Sequence, residues 1–163
     1  MPPTIPIVTS TPAKESETLW YKDGLRFGCI GCGGCCRTHG QDDEYAFVYL
    51  SSKDVDTISA HLDLERIDFL NEHCKSDPDG WAYLSMVKGD CNFLDDEGRC
   101  RIYSVRPGQC DTWPFWTENL DRARWYGSVK DCCPGIGRGR LYTAEEIKKI
   151  ADDRDAWYDD DEK

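Results

Sequence analysis

The sequence lacks the features that would carry a chain into or across a membrane. Its first residues, Met1 to Ile7, do not form a basic region followed by the apolar stretch of a signal peptide. Nowhere do about 18 apolar residues follow one another, so no membrane-spanning helix is predicted. We therefore expect a cytoplasmic protein with no membrane partner.

Positive charge and apolar residues are also scarce. The chain has 20 Lys and Arg against 31 Asp and Glu, a net charge of −11, which disfavours binding to nucleic acid or to an anionic membrane. Apolar residues make up only 39% of the sequence. Burial of apolar side chains alone would contribute too little stability for so many ordered residues. We therefore expect a further source of stability.

Familiar catalytic and nucleotide-binding patterns are missing as well. The three histidines have no evident catalytic partner, and the glycines of residues 135–139 follow no apolar strand and open no helix. Turns explain these glycines better than a nucleotide loop does. Whether the protein is an enzyme stays open, because a thiolate-bound cluster could itself perform redox or radical chemistry.

Cysteine is the abundant residue, with ten in a chain of 163. Clustered thiols in a reducing cytosol ligate metals, whereas in an exported chain they would form disulfides. The adjacent pair Cys35 and Cys36 favours the metal, since neighbouring cysteines pair with each other only under strain.

Composition divides the chain into three parts. Residues 1–18 are rich in proline and predict a disordered leader, residues 19–157 a cysteine-cluster metal-binding domain, and residues 158–163 a solvated acidic tail or a site for a protein partner. We expect a small single α+β domain in which short strands and loops surround a thiolate-bound metal centre and helices lie at the periphery.

Local patterns predict the elements of this domain. Helices are expected after Ser51 and after Asp63, and another from the capping box of Thr143 and Glu146 to about Trp157. Strands are expected at 44–50, 81–86 and 100–103, with a turn at 95–98.

The strongest motif is Cys29-Ile-Gly-Cys32-Gly-Gly-Cys35-Cys36. Two-residue spacers let successive thiolates curl around one ion or cluster, while the glycines permit positive φ angles and free N–H groups for the sulfurs. On an extended backbone the last two cysteines would point in opposite directions and serve two sites, or two atoms of one cluster. Four further cysteines follow in a second block, at positions 91, 100, 110 and 133. The total of eight is enough for two four-thiolate sites, or for one site with ligands to spare.

Together these motifs resemble the YkgJ-like cysteine-cluster family, the zinc- or iron-chelating CxxCxxCC domain. The resemblance is carried by residues 27–36, 91–94, 98–103, Arg106-Pro107, Cys110, 113–116 and 133–137. It implies metal chelation, and some relatives are associated with flagellin lysine N-methylation. The candidate ligands are Cys29, Cys32, Cys35, Cys36, Cys91, Cys100, Cys110 and Cys133.

The sequence leaves open the identity of the metal and the roles of several residues near the motifs. The Cys-x2-Cys-x2-Cys spacing and the Cys133-Pro134 pair favour an iron–sulfur cluster such as 4Fe-4S, but four thiolates suit zinc equally well. Cys132 could replace its neighbour as a ligand, and His39 could supply an imidazole, whereas Cys74 is expected to be structural. Arg106 and the aromatic residues 113–116 are expected to brace and shield the metal, or else to contact a substrate.

Overall fold

A computed structural model describes residues 19–37 and 47–159 of the chain. The predicted leader, His39, the first half of the strand expected at 44–50 and most of the acidic tail lie outside these residues. None of the described helices has the length and apolar character needed to cross a membrane.

The described residues form a small α+β domain of short elements. The strands are β1 (Leu25–Phe27), β2 (Cys74–Ser76), β3 (Ala82–Leu84), β4 (Met86–Val87), β5 (Asp90–Cys91) and β6 (Arg140–Tyr142). The α-helices are α1 (Ser52–His61), α2 (Arg66–His73), α3 (Gly108–Asp111), α4 (Arg122–Arg124), α5 (Lys130–Cys132) and α6 (Ala144–Asp159). A π-helical turn, Trp125–Val129, joins α4 to α5.

The strands pair into three antiparallel two-stranded sheets. β1 pairs with β6, β2 with β3, and β4 with β5. In the first sheet Arg26 lies opposite Leu141, so the two ends of the domain are joined.

The predicted helices are confirmed, because their signals are local. Ser51 caps α1: its hydroxyl accepts from the N–H of Asp54 at 3.0 Å, and the Asp54 carboxylate accepts from the N–H of Ser51 at 2.9 Å. Thr143 and Glu146 form the same reciprocal pair at the start of α6, with N–H to oxygen distances of 2.8 and 3.2 Å.

The strand predictions hold only in part. Residues 81–86 divide between β3 and β4, and Tyr49 makes a single bridge to Tyr83. The strand expected at 100–103 is wrong: Cys100 makes one bridge to Leu94, and a 3-10 turn follows at Tyr103–Val105.

Two hydrophobic clusters form the core. The first cluster packs α1 and α2 against the β3–β5 region, and its buried members are Leu50, Val55, Ile58, Phe69, Leu84, Cys91, Phe93 and Ile102. The second cluster lies under β1 and α6, and its buried members are Leu25, Phe115, Trp125, Val129, Cys133, Ile136 and Ile147.

Candidate metal centre

The CxxCxxCC loop adopts the conformation that its glycines predict. Gly31 and Gly33 each have φ of 68°, a left-handed conformation that favours glycine. The N–H of Gly34 donates to the Cys32 sulfur at 3.4 Å, so the loop places a backbone donor on a thiol. Gly34–Cys36 is a 3-10 turn, not extended backbone, which corrects the expectation that the last two thiols point in opposite directions.

The next segment to join the loop is β5. Arg37, directly after the loop, bridges to Asp90 through its backbone, and the two side chains form an ion pair at 3.4 Å. Because Cys36 and Cys91 adjoin these two residues, the bridge brings the two cysteines to the same place.

Hydrogen bonds to two aspartates position the segments that carry Cys100 and Cys110. The turn that leads to Cys100 is held by the Asp95 carboxylate, which accepts from the N–H groups of Glu97 and Arg99 at 3.0 and 2.8 Å. Cys110 lies in α3, where the N–H of Gly108 donates to the Asp54 carboxylate of α1 at 3.1 Å.

The last pair, Cys132 and Cys133, follows the π-helical turn at the end of α5. The N–H of Gly28 donates to the carbonyl of Gly135 at 3.1 Å, so the residue before Cys29 is bonded to the residue two positions after Cys133. Gly135 and Gly139 serve this packing: a Cβ on Gly135 would lie 2.3 Å from the Gly28 carbonyl oxygen, and one on Gly139 would lie 2.7 Å from the Phe27 carbonyl oxygen.

Two glycines of the loop contact the other cysteine segments directly. A Cβ on Gly33 would lie 2.6 Å from the carbonyl oxygen of Gly98, and one on Gly34 would lie 2.3 Å from that of Cys132. Side chains have no room at either position. Glycine therefore allows the loop to sit between the segment of Cys100 and the segment of Cys132.

The gathered cysteines lie where the two hydrophobic clusters meet. Cys91 is a buried member of the first cluster, with Cys36 and Cys100 packed against it, while Cys133 belongs to the second, with Cys132 packed against it. A metal bound here would cross-link the two clusters.

The pair Cys35 and Cys36 is polarised. A hydrogen bond from the Cys36 thiol lowers the pKa of Cys35 to about 7, and the same bond raises the pKa of Cys36. The hydrogen bond therefore favours the thiolate form of Cys35, with Cys36 as the donor.

Cys35 is also the electrostatic centre of the group. Burial raises the pKa of five other cysteines, and the charge of Cys35 raises each of them further; they are Cys91, Cys100, Cys110, Cys132 and Cys133. Charges interact in this way only at short range, so the thiols share one region. The Arg106 guanidinium acts in the opposite direction and helps to lower the pKa of Cys35.

Arg106 is held in place by two neighbouring side chains. It stacks on the Tyr103 ring with its guanidinium carbon 4.2 Å from the ring centre, and it pairs with Asp111 at 2.7 Å. Tyr103 in turn hydrogen-bonds Cys29, which raises the pKa of the tyrosine. Exposed Cys29 is thereby tied to the same region.

Thiols are the ligands that suit a soft metal, although the described thiols are not arranged as a complete set of ligands. The indole N–H of Trp113 is buried, and no acceptor among the described residues lies in hydrogen-bonding geometry to it. It is nevertheless near enough to Cys133 to lower the pKa of that thiol, although burial raises the same pKa by more. A metal-bound thiolate would supply the missing acceptor. No three described His, Cys, Asp or Glu side chains are arranged to hold a metal as they stand.

A cavity of about 700 Å³ adjoins the cysteines. The residues that line it include the four cysteines Cys35, Cys36, Cys91 and Cys132 together with Trp113 and Trp116. The aromatic residues therefore form a wall beside the thiols, and the cavity leaves space next to them.

All eight candidate ligands lie in or beside this region. Cys74 does not join them: it packs against the first cluster at the start of β2, and burial raises its pKa to about 12. Cys132, outside the eight, lies among them. Its adjacency to Cys133 is the only feature of the sequence that indicates this position.

A small α+β domain with thiols gathered between two hydrophobic clusters defines a cysteine-cluster metal-binding protein. A family model described as "CxxCxxCC: Putative zinc- or iron-chelating domain" matches residues 28–151. The chain belongs to this CxxCxxCC family, which confirms the resemblance found in the sequence.

Among curated proteins, the chain is similar to "Uncharacterized protein MJ0661" of Methanocaldococcus jannaschii, with 29% identity over 96 residues. The match covers 58% of this chain and 48% of the relative, so the chain spans about half the length of the curated relative. No solved structure matches the chain.

Proposed function

We propose that the protein holds an iron–sulfur cluster of the 4Fe-4S type, with a structural zinc site as the alternative. Because such a site takes four thiolates, the proposed ligands would supply two sites, or one site with ligands to spare. They are Cys29, Cys32, Cys35, Cys36, Cys91, Cys100, Cys110 and Cys133. The observation that carries the proposal is the convergence of four further segments, those of Cys91, Cys100, Cys110 and Cys133, on the CxxCxxCC loop around Cys35, with the donor N–H of Trp113 facing Cys133.

The residues around the thiols suit a negatively charged thiolate centre. The backbone N–H of Gly34 donates to the sulfur of Cys32, the indole N–H of Trp113 faces that of Cys133, and Arg106 supplies positive charge. Hydrogen bonds and nearby charge of this kind tune cluster potentials. An iron–sulfur cluster would supply electron-transfer chemistry when bound, whereas zinc would supply a redox-inert cross-link.

The test is whether the purified full chain holds metal through its cysteines. Protein prepared without oxygen should contain metal by elemental analysis, and most of its thiols should react with a chromogenic thiol reagent only after denaturation with a chelator. A metal-free preparation whose thiols all react at once would contradict the proposal.

The cavity beside the thiols favours a second candidate, a redox or protein-modifying enzyme, over a purely structural site. A closed site has four protein ligands, whereas a catalytic site keeps a position accessible to a small molecule. The exposure of Cys29 and Cys32 is also compatible with a metal carrier.

Cobalt substitution separates the open site from the closed one. An added small thiol should change the visible spectrum of the cobalt-loaded protein if the metal faces the cavity. Ser128→Trp, which adds bulk to the cavity wall, should suppress that change while retaining cobalt. An unperturbed wild-type spectrum would point to a closed structural site.

A further inference from the structure

Cys132 and Cys133 are adjacent in sequence but face different surroundings. Cys133 is 7% exposed and belongs to the second hydrophobic cluster. Cys132 is half-buried and lines the cavity together with Cys35, Cys36 and Cys91. The pair therefore offers one thiol from within the core and one from the cavity.

Backbone packing fixes Cys132 against the CxxCxxCC loop. The position of a Cβ on Gly34 is 2.3 Å from the carbonyl oxygen of Cys132 and 3.4 Å from the sulfur of Cys32. The approach to Cys132 involves a backbone atom, so it does not depend on any side-chain rotamer.

The Cys132 thiol has a defined orientation and thiol neighbours. It donates to the carbonyl of Val129 at 3.3 Å, a weak bond that a metal could replace. The charges of Cys133, Cys35 and Cys32 all act on it, in addition to burial. Cys74 has a similar exposure, but burial alone accounts for its raised pKa.

We propose that Cys132 ligates the bound metal from the cavity side and takes the place of one of the eight candidate ligands, since a zinc site or a 4Fe-4S cluster holds four thiolates. The inference rests on the proposed function, since it requires a metal at the gathered cysteines. It assigns to Cys132 a role that the CxxCxxCC motif and the second cysteine block do not require. It also places one ligand where a molecule in the cavity could reach it.

The test compares alkylation of Cys132 with that of Cys74 in the unmodified chain. Metal-free and zinc-loaded protein would be treated with N-ethylmaleimide for increasing times and digested with trypsin, which yields the separate peptides 131–138 and 67–75. Fragmentation of the first peptide distinguishes Cys132 from Cys133. Because metal-bound thiolates react slowly, loading should slow the modification of Cys132 by about tenfold or more and leave Cys74 unchanged.

Variants provide a second measurement that does not depend on reactivity. Cys132→Ser should weaken zinc binding about tenfold in competition with a chromophoric chelator, while Cys74→Ser should not, because serine is a poor ligand for a soft metal. Far-ultraviolet circular dichroism of both metal-free variants should match the unmodified chain.

The outcomes separate the two proposals. Zinc uptake with Cys132 still alkylated at its metal-free rate, or with Cys132→Ser binding as tightly as the unmodified chain, overturns the role of Cys132 alone. Failure of the unmodified chain to take up zinc, or iron with sulfide under anaerobic conditions, overturns the proposed function and this inference with it.

Discussion

The α-carbon of Gly34 lies so close to the carbonyl oxygen of Cys132 that a Cβ at this position would approach the oxygen to 2.3 Å. Such a contact cannot be relieved by a side-chain rotation, because the obstructing atom belongs to the backbone. The contact joins the CxxCxxCC loop to the segment that carries Cys132 and Cys133.

We therefore expect Gly34→Ala to separate these two segments. Overpacking of this kind costs about 1–3 kcal/mol, so the variant should melt at a lower temperature and hold less metal. Gly108→Ala is the matched control, since the nearest atom to its Cβ is 4.0 Å away and alanine is favoured in a helix. Equal metal content in the two variants would show that the contact does not position the loop.

Metal removal should cost the protein much of its stability. The two hydrophobic clusters are small, and the gathered cysteines lie between them. Because a bound metal would tie these distant segments together, strong chelation should lower the melting temperature by on the order of tens of degrees or abolish the cooperative transition. Differential scanning calorimetry of loaded and metal-free protein measures this. Identical melting of both forms would contradict a stabilising role for the metal.

The elements that could be predicted from the sequence depend on neighbouring residues. The caps at Ser51 and Thr143, and the positive φ angles of Gly31 and Gly33, follow from short-range hydrogen bonds and sterics. The eight candidate cysteines could be selected because spacing and family resemblance identify them. Their ligand roles remain a proposal.

Long-range packing decides the parts that the sequence did not reveal. The pairing of β1 with β6 and the contact of Gly34 with Cys132 join residues about a hundred positions apart, and no local pattern encodes them. The extended backbone expected at Cys35 is replaced by a turn, because the N–H of Cys36 donates to the carbonyl of Gly33 at 3.0 Å.

Serine substitutions should divide the cysteines into two classes. Replacing any of the eight proposed ligands should reduce bound metal or soluble yield, because a hydroxyl binds soft metals far more weakly than a thiolate. Cys74→Ser should have little effect on metal content. Elemental analysis of each purified variant gives the answer, and full metal content in several of the eight would mean that the ligand set is wrong.

The Trp113 indole should tune the centre if that centre is a cluster. Trp113→Phe removes the N–H that faces Cys133, and loss of a hydrogen bond to sulfur should make the reduction potential more negative by about 40 mV, equivalent to about 1 kcal/mol for one electron. Trp116→Phe is the control, because its N–H donates to the Gln109 carbonyl at 3.2 Å instead. Equal potentials for the two variants in a spectroelectrochemical titration would exclude this role.

The identity of the metal separates the redox and structural functions, and colour reports it directly. A cluster is favoured because the loop has iron–sulfur spacing, the N–H of Gly34 is bonded to the Cys32 sulfur, and Trp113 and Trp116 would cover part of the centre where they line the cavity. Shielding matters more for an oxidisable cluster than for redox-inert zinc. We expect anaerobically prepared protein to be brown, to contain iron and acid-labile sulfide in similar amounts, and to lose its broad visible absorption on reduction. A colourless anaerobic preparation with stoichiometric zinc and no sulfide would instead identify a structural zinc domain.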